Sequence, residues 1–312
     1  LITILCIGFV IFIHELGHLI AAKRAKVGVS EFAVGMGPKI WSFDFSETTY
    51  SLRAFPIGGY IKAKGLDTTD ECPIEEDFRE KSILARMSII VAGSAMNILL
   101  GFVIYLFIGL MVGKPTMISE IDQVLADYPA EKVGLQAGDQ IIKINGNDVN
   151  DVAVDFINTV KESNGNELSI TYLRNQAERT VTLSATLAET SSYMIGVSFK
   201  VSNTSLSLGG AFTYGLDRTI GTISGSLLGL KMLITGDVGF NELAGPIGIV
   251  QIAASQFDSN FMSFIGLIAF ISISLGIINM FPLPALDGGH FLLLIIESIR
   301  KKPLNKKVEL VI

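Results

Sequence analysis

The sequence predicts a polytopic α-helical membrane protein with a membrane-associated β-sheet and an inserted extracytoplasmic α+β domain. Three observations carry this. Of 312 residues, 49% are apolar and only 17% charged, with a mean hydropathy of +0.51, where a soluble domain carries about 25% charge. Three long stretches are almost free of charge. Between the second and the third, the pattern changes to short alternating runs separated by turn residues. So apolar a chain buries too much surface to stay disordered. A net charge of −6 with 24 Lys+Arg leaves no basic footprint for nucleic acid. The cysteines, Cys6 and Cys72, lie far apart and give no disulfide framework.

The elements follow in order. Leu1–Ile13 runs uncharged into His14 and Glu15, then continues apolar to Ala22. No small-residue cleavage site follows, which argues for a span and against a signal peptide. Residues 27–86 alternate in runs such as Tyr50–Ala54 and Tyr60–Ala63, split by Pro56-Ile57-Gly58-Gly59. They predict a small sheet with a tight glycine turn. Asp67–Glu80 reads as an acidic, solvated loop. Met87–Val112 and Ser259–Leu286 carry no charge, and each exceeds the roughly 20 residues that cross a bilayer core.

The N-terminal core therefore covers 1–112, with the inserted domain at 113–200. Within it, Gln140–Asn145, Leu168–Leu173 and Thr180–Leu183 read as strands, Asn145-Gly146-Asn147 as a turn, and Asp155–Glu162 as a short helix. Residues 114–200 hold twelve acids against seven bases, most of the net charge. A linker follows at 201–258. In it Ala211–Leu233, apolar but broken by Asp217, Arg218 and several glycines, predicts an amphipathic helix at the membrane surface. Residues 259–312 hold the third span and a short helix, Phe291–Ile299.

Lys/Arg clusters set the orientation. Lys23, Arg24 and Lys26 follow the first span, and Arg79, Lys81 and Arg86 precede the second. Arg300, Lys301, Lys302, Lys306 and Lys307 follow the third. All belong on the cytoplasmic side, which places about 114–258 outside the cytoplasm.

The chemistry lies in two short motifs that hold all three histidines. In His14-Glu15-Leu16-Gly17-His18, positions i and i+4 share a helix face, so both imidazoles reach one cation. Glu15 is placed to act as general base beside it. A catalytic zinc takes three protein ligands, and the only intramembrane acid outside this motif is Asp287, at the end of an uncharged 28-residue run. Pro282 and Pro284 break the helix before it, and free backbone at that depth is tolerated where it lines a cavity. His290 then falls to a supporting or structural role. Glu297 is the alternative third ligand, for a membrane zincin that cleaves soluble tails.

The run Pro129-Ala130-Glu131-Lys132-Val133-Gly134-Leu135 through Asp139, followed by Ile144-Asn145-Gly146, resembles a bacterial PDZ domain. Such domains bind peptides or C-termini by strand addition. Taken together, the chain resembles the site-2 protease family of intramembrane zinc metalloproteases, in its regulator-of-sigma-E-protease branch with one PDZ domain. The likeness rests on His14–His18, Ala22-Lys23-Arg24, Gly35-Met36-Gly37-Pro38, Pro56–Tyr60, Met96-Asn97, Leu243–Gly248 and Asn279–His290. It implies a multi-pass protein of the inner (plasma) membrane, with a last transmembrane helix after Lys307. The expected reaction is zinc-dependent hydrolysis of peptide bonds in or near transmembrane segments, as in anti-sigma factors or remnant signal peptides. One zinc would be held by His14, His18 and Asp287, with Glu15 catalytic. The resemblance also places Asn279 near the substrate backbone, and the sheet residues Gly35, Gly37, Gly58 and Gly59 beside it, with Gly35–Gly37 or Tyr50–Ala54 as the pairing edge. The PDZ domain would filter substrates already trimmed by another protease. A non-catalytic PDZ receptor and a metal transporter are the other classes; the intact His-Glu-His-Asp set opposes the first, and the single intramembrane acid the second.

Overall fold

The computed structural model describes residues 2–66, 73–188, 192–237, 239 and 261–302. Cys72, the Leu243–Gly248 run, Lys306 and Lys307 lie outside them. The described chain divides into two compact units, 1–111 with 207–312, and 112–206.

In the first unit, α1 (Ile2–Arg24) is one unbroken helix through the His-Glu pair. Two strands follow, β1 (Val29–Phe45) and β2 (Thr48–Ala63), then α2 (Ile83–Met111). Helices α1, α2 and a later one, Phe261–Asn279, are long and apolar enough to cross a membrane. With little hydrophobic drive between helices in lipid, small residues let backbones approach. A Cβ on Gly17 of α1 would lie 2.4 Å from the Ala92 carbonyl of α2, and one on Gly101 of α2 would lie 2.4 Å from Ile273.

The hairpin does not stay two simple strands. Residues 31–34 pair both with 59–62 and with 49–52, while 41–45 pair with 48–52. Each strand thus doubles back, β1 near Gly35 and Gly37 (φ 86° and 84°) and β2 at Gly58 (φ 93°), where glycine meets no Cβ penalty. This bears out the glycine turn but corrects the expected edge. Tyr50, Ser51 and Leu52 are paired on both sides, so that run is interior. On the 31–34 side, the outermost strand among the described residues is the 59–63 segment. A polar cluster ties the folded-back parts together: Ser51 Oγ donates to Glu31 at 2.7 Å, Tyr60 Oη at 2.9 Å, and Arg53 at 3.0 Å. Burial works against the Glu31 charge, yet these donors hold its carboxyl at about 2.

Residues 73–80, expected as open loop, form two short turns that bury Phe78. Phe78 joins Leu19, Val29, Phe32, Ile89 and Leu294 in one apolar cluster. That cluster locks α1, the sheet, α2 and the last helix to one another.

The second unit holds a six-stranded antiparallel sheet and a separate two-stranded one, β8 with β9. Its strands are β3 (Lys114–Val124), β4 (Gln140–Ile144), β5 (Asn147–Asp148), β6 (Glu167–Arg174), β7 (Ala177–Ser184), β8 (Thr186–Leu187), β9 (Tyr193–Met194) and β10 (Val197–Thr204). The main order is β10-β3-β4-β6-β7. Two short helices, α3 (Pro129–Lys132) and α4 (Asn158–Glu162), complete it, the second continuing a wider helical turn over Val152–Ile157. Residues 201–204, expected in the linker, pair with 114–117 and extend β10. The Asn145-Gly146 turn has positive φ at both positions, 50° and 82°, as a two-residue hairpin requires.

The buried Asp139 accepts from Arg174 Nε and Nη2 at 2.7 Å each and from the Gln136 amide at 2.8 Å. Removing Asp139 leaves the Gln136 amide and the partly exposed Arg174 guanidinium without their acceptor, at about 1–3 kcal/mol. Asp139→Ala is therefore expected to destabilise this unit by about 1–3 kcal/mol in chemical unfolding of the full chain. A conservative surface change such as Asp148→Ala should leave it within about 0.5 kcal/mol.

Three further helices of the described residues belong to the first unit after the sheet domain. Helix α5 (Leu208–Thr235) starts with Ser207 accepting from the Gly210 amide and ends on Gly236 at φ 80°. It is not among the apolar spans, as its charges imply. Within this unit it is packed on its neighbours rather than standing apart. Its buried face, Ala211, Gly215 and Thr219, packs on α2: a Cβ on Gly215 would lie 3.1 Å from the Leu106 backbone. Further along, Thr222 meets Tyr105 at 3.1 Å and Ser226 meets Ser274 at 3.1 Å, so α5 runs lengthwise beside two spans. Arg218 sits 5.6 Å over the Tyr105 ring, which accommodates its charge there. Helix α6 (Phe261–Asn279) is the third span, and α7 (Asp287–Arg300) follows a short turn.

Candidate metal centre

Helix α1 presents His14 and His18 on one face, 5% and 8% exposed. Their Nε2 atoms lie 3.2 Å apart. Asp287 enters from α7, its Oδ2 at 3.0 Å from His14 Nε2 and 3.3 Å from His18 Nε2. The local chain explains how it arrives. Helix α6 ends at Asn279, and Phe281–Leu286 turn tightly, with Ala285 at φ 68°. Gly288 packs so closely on this turn that a Cβ would lie 2.2 Å from the Phe281 carbonyl. Asp287 is thereby fixed as the first residue of α7, where a carboxylate also suits the helix dipole.

One donor atom from each of His14, His18 and Asp287 falls within 4.8 Å of the others. Asp287 Oδ2 is buried and makes no hydrogen bond. His18, whose Nδ1 proton goes to the Ile89 carbonyl, cannot when neutral also donate to Asp287 from Nε2, so its lone pair faces the carboxylate. The set fits a cation of zinc type, whose ligands are His nitrogen and carboxylate oxygen.

Helix α2 supports the pair. His18 Nδ1 donates to the Ile89 carbonyl at 2.8 Å. A Cβ on Gly93 would lie 2.3 Å from His18 Nε2 and 2.8 Å from His14 Nε2, so α2 reaches the imidazoles only because residue 93 has no side chain. Asn97, fully buried, meets His14 Nδ1 at 3.4 Å. Asn279 Nδ2 lies 3.1 Å from His14 Nε2.

A cavity of about 310 Å³ opens from this cluster. Glu15, Gly59–Ile61, His290 and Leu293 line it together with the three clustered residues. Gly59 faces Glu15: a Cβ there would lie 3.0 Å from Glu15 Cγ. Gly35, Gly37 and Gly58 make the reversals of the sheet and are not among the residues lining this cavity, whereas Gly59 is. His290 is exposed on the cavity wall and outside the three-residue cluster. Glu297, the alternative ligand, pairs instead with Arg86 at 2.5 and 3.2 Å. Arg86, counted among the flanking cytoplasmic charges, is thus buried rather than solvated. Gly93 and the Ile89 carbonyl were not legible as site elements; Asn97 stood in a matched motif without an assigned role.

The family model of peptidase family M50 matches residues 2–312. The chain belongs to peptidase family M50. Similar proteins are a Clostridium acetobutylicum protein with a zinc metalloprotease name, 36% identical over 97% of this chain and 88% of its own, and the zinc metalloprotease RasP of Bacillus licheniformis, 29% identical over 98% and 92%. The regulator of sigma-W protease RasP of Bacillus subtilis is 28% identical over 98% and 91%. Among solved structures, the PDZ domain of an SdrC-like protein from Listeria monocytogenes aligns over 26% of this chain and 84% of its own, at 26% identity and TM-score 0.24. As a family M50 member, the chain is a membrane-bound zinc metalloprotease that acts in intramembrane proteolysis.

Proposed function

We propose that His14, His18 and Asp287 hold one catalytic zinc, and that Glu15 is the general base of peptide-bond hydrolysis. The convergence of three ligand atoms within 4.8 Å, from the start and the end of the chain, supports this reading. Zinc, when bound, polarises a carbonyl and makes water acidic enough to attack at neutral pH. The protein's own groups do the rest. Glu15 takes the proton of the attacking water and returns it to the leaving amine, worth about 10²–10⁴ in rate. Asn279 Nδ2, beside the cluster, donates to the substrate carbonyl. The cavity walls exclude bulk solvent and leave room for an extended segment.

Substrate is a single-pass transmembrane segment of another membrane protein, such as an anti-sigma factor or a remnant signal peptide, trimmed beforehand by another protease. It must unwind to expose a carbonyl, and unpaired amides in hydrocarbon cost several kcal/mol each. The outer strand through Gly59, Tyr60 and Ile61, rather than Gly35–Gly37 or Tyr50–Ala54, offsets that cost by backbone pairing. The 112–206 unit acts as the PDZ filter outside the cytoplasm, and the site lies toward the cytoplasmic face of the plasma membrane.

Proline placed singly at 59–63 tests the pairing edge, since each removes one donor. Cleavage of a transmembrane substrate by the purified full chain is expected to fall with period two, as strand geometry dictates. Uniform activity at all five positions, with expression intact, rules the pairing edge out.

A further inference from the structure

We infer that Asn97 is a positioning residue for the metal site: its side-chain oxygen accepts the Nδ1 proton of His14 and so fixes the His14 tautomer that can bind zinc. The inference rests on the proposed ligand role of His14. Both histidines must offer Nε2 as a lone pair, which requires the proton on Nδ1. For His18 the backbone provides this, because the Ile89 carbonyl, 2.8 Å from Nδ1, can only accept. For His14 the group facing Nδ1 is the Asn97 amide, with Nδ2 at 3.4 Å. An amide nitrogen there would demand the wrong tautomer, with the proton on the very Nε2 that faces Asp287 Oδ2 at 3.0 Å.

A second observation points the same way. Asn97 is 0% exposed, and its Oδ1 has no hydrogen-bond partner among the described residues. Amide oxygen and nitrogen exchange places by a half-turn about the last side-chain bond, and only the hydrogen-bond pattern decides between them. Turning the Asn97 amide gives the orphaned oxygen the Nδ1–H of His14 as its donor. It also frees His14 Nε2 for a cation.

The residue is built to be held in place. Ser272 Oγ donates to the Asn97 carbonyl at 2.8 Å, and Gly276 lets α6 approach until a Cβ there would lie 3.3 Å from Asn97 Cβ. The same helix thus carries both tautomer-fixing groups, Ile89 and Asn97, one for each histidine of α1.

The test measures zinc affinity of the full chain in detergent micelles by competition with a chelating dye. Asn97→Ala and Asn97→Leu are expected to bind zinc about 10–100-fold more weakly, the range for loss of a group that orients a metal ligand. Asn97→Asp, which keeps an acceptor at that place, should restore affinity to within several-fold of wild type. Unfolding midpoints of the zinc-free variants report packing loss separately, and a purely structural role would not distinguish Asp from Leu. Wild-type affinity in Asn97→Ala and Asn97→Leu, or an Asp variant as weak as Leu at an equal midpoint, overturns the inference. His14→Ala is the control: zinc lost there but kept in Asn97→Ala refutes Asn97 alone, whereas zinc kept in His14→Ala refutes the ligand assignment.

Discussion

Replacing Glu15 with glutamine is expected to slow cleavage of a transmembrane substrate by about 10²–10⁴-fold while zinc stays bound. The amide matches the carboxylate in shape, so the contact with Gly59 (a Cβ there would lie 3.0 Å from Glu15 Cγ) is preserved. What it lacks is an oxygen basic enough to take a proton. Glu15 is not in the three-residue cluster, so metal content should match wild type. Metal analysis and a gel-based cleavage assay on the same preparation check both halves. Near wild-type cleavage by Glu15→Gln would remove Glu15 from the chemistry.

The second large effect is expected at Gly93. An added methyl would sit 2.3 Å from His18 Nε2, where an atom must move. The imidazole of His18 cannot swing freely, because Ile89 holds its Nδ1 at 2.8 Å. The helices also cannot separate at no cost, since Gly17 brings α1 against the Ala92 carbonyl one position away. Gly93→Ala should therefore weaken zinc binding by about 10–100-fold or more and abolish cleavage with it. Gly221→Ala in α5, where a Cβ meets nothing within 4 Å, should change neither. Equal zinc affinity in the two variants would show that α2 does not shape the site.

The parts of this molecule that were legible in the sequence are those with strong local signatures. Uncharged runs gave the spans, and the i, i+4 histidines gave one face of a helix. Asp287 stood out because an acid after 28 uncharged residues demands a reason. The alternating runs gave strands but not their order. Glycine reversals at 35–37 and 58 fold each strand back on its partner, so Tyr50–Leu52, which read as an edge, became interior. Such pairing is non-local, and no window of residues encodes it. Gly93 looks like an ordinary small residue of an apolar helix. Its meaning exists only once two imidazoles pack above it. The packing of helix α5 was hidden for a related reason: its partners are non-local, with Arg218 over the Tyr105 ring of α2, and Thr222 and Ser226 meeting Tyr105 and Ser274.

The central claim is that one zinc is bound jointly by His14, His18 and Asp287. Metal analysis of the purified full chain, beside His14→Ala, His18→Ala and Asp287→Ala, tests it most directly. One zinc per wild-type chain is expected, with occupancy and cleavage both lost in each variant. Full zinc occupancy together with wild-type cleavage in Asp287→Ala would contradict the account.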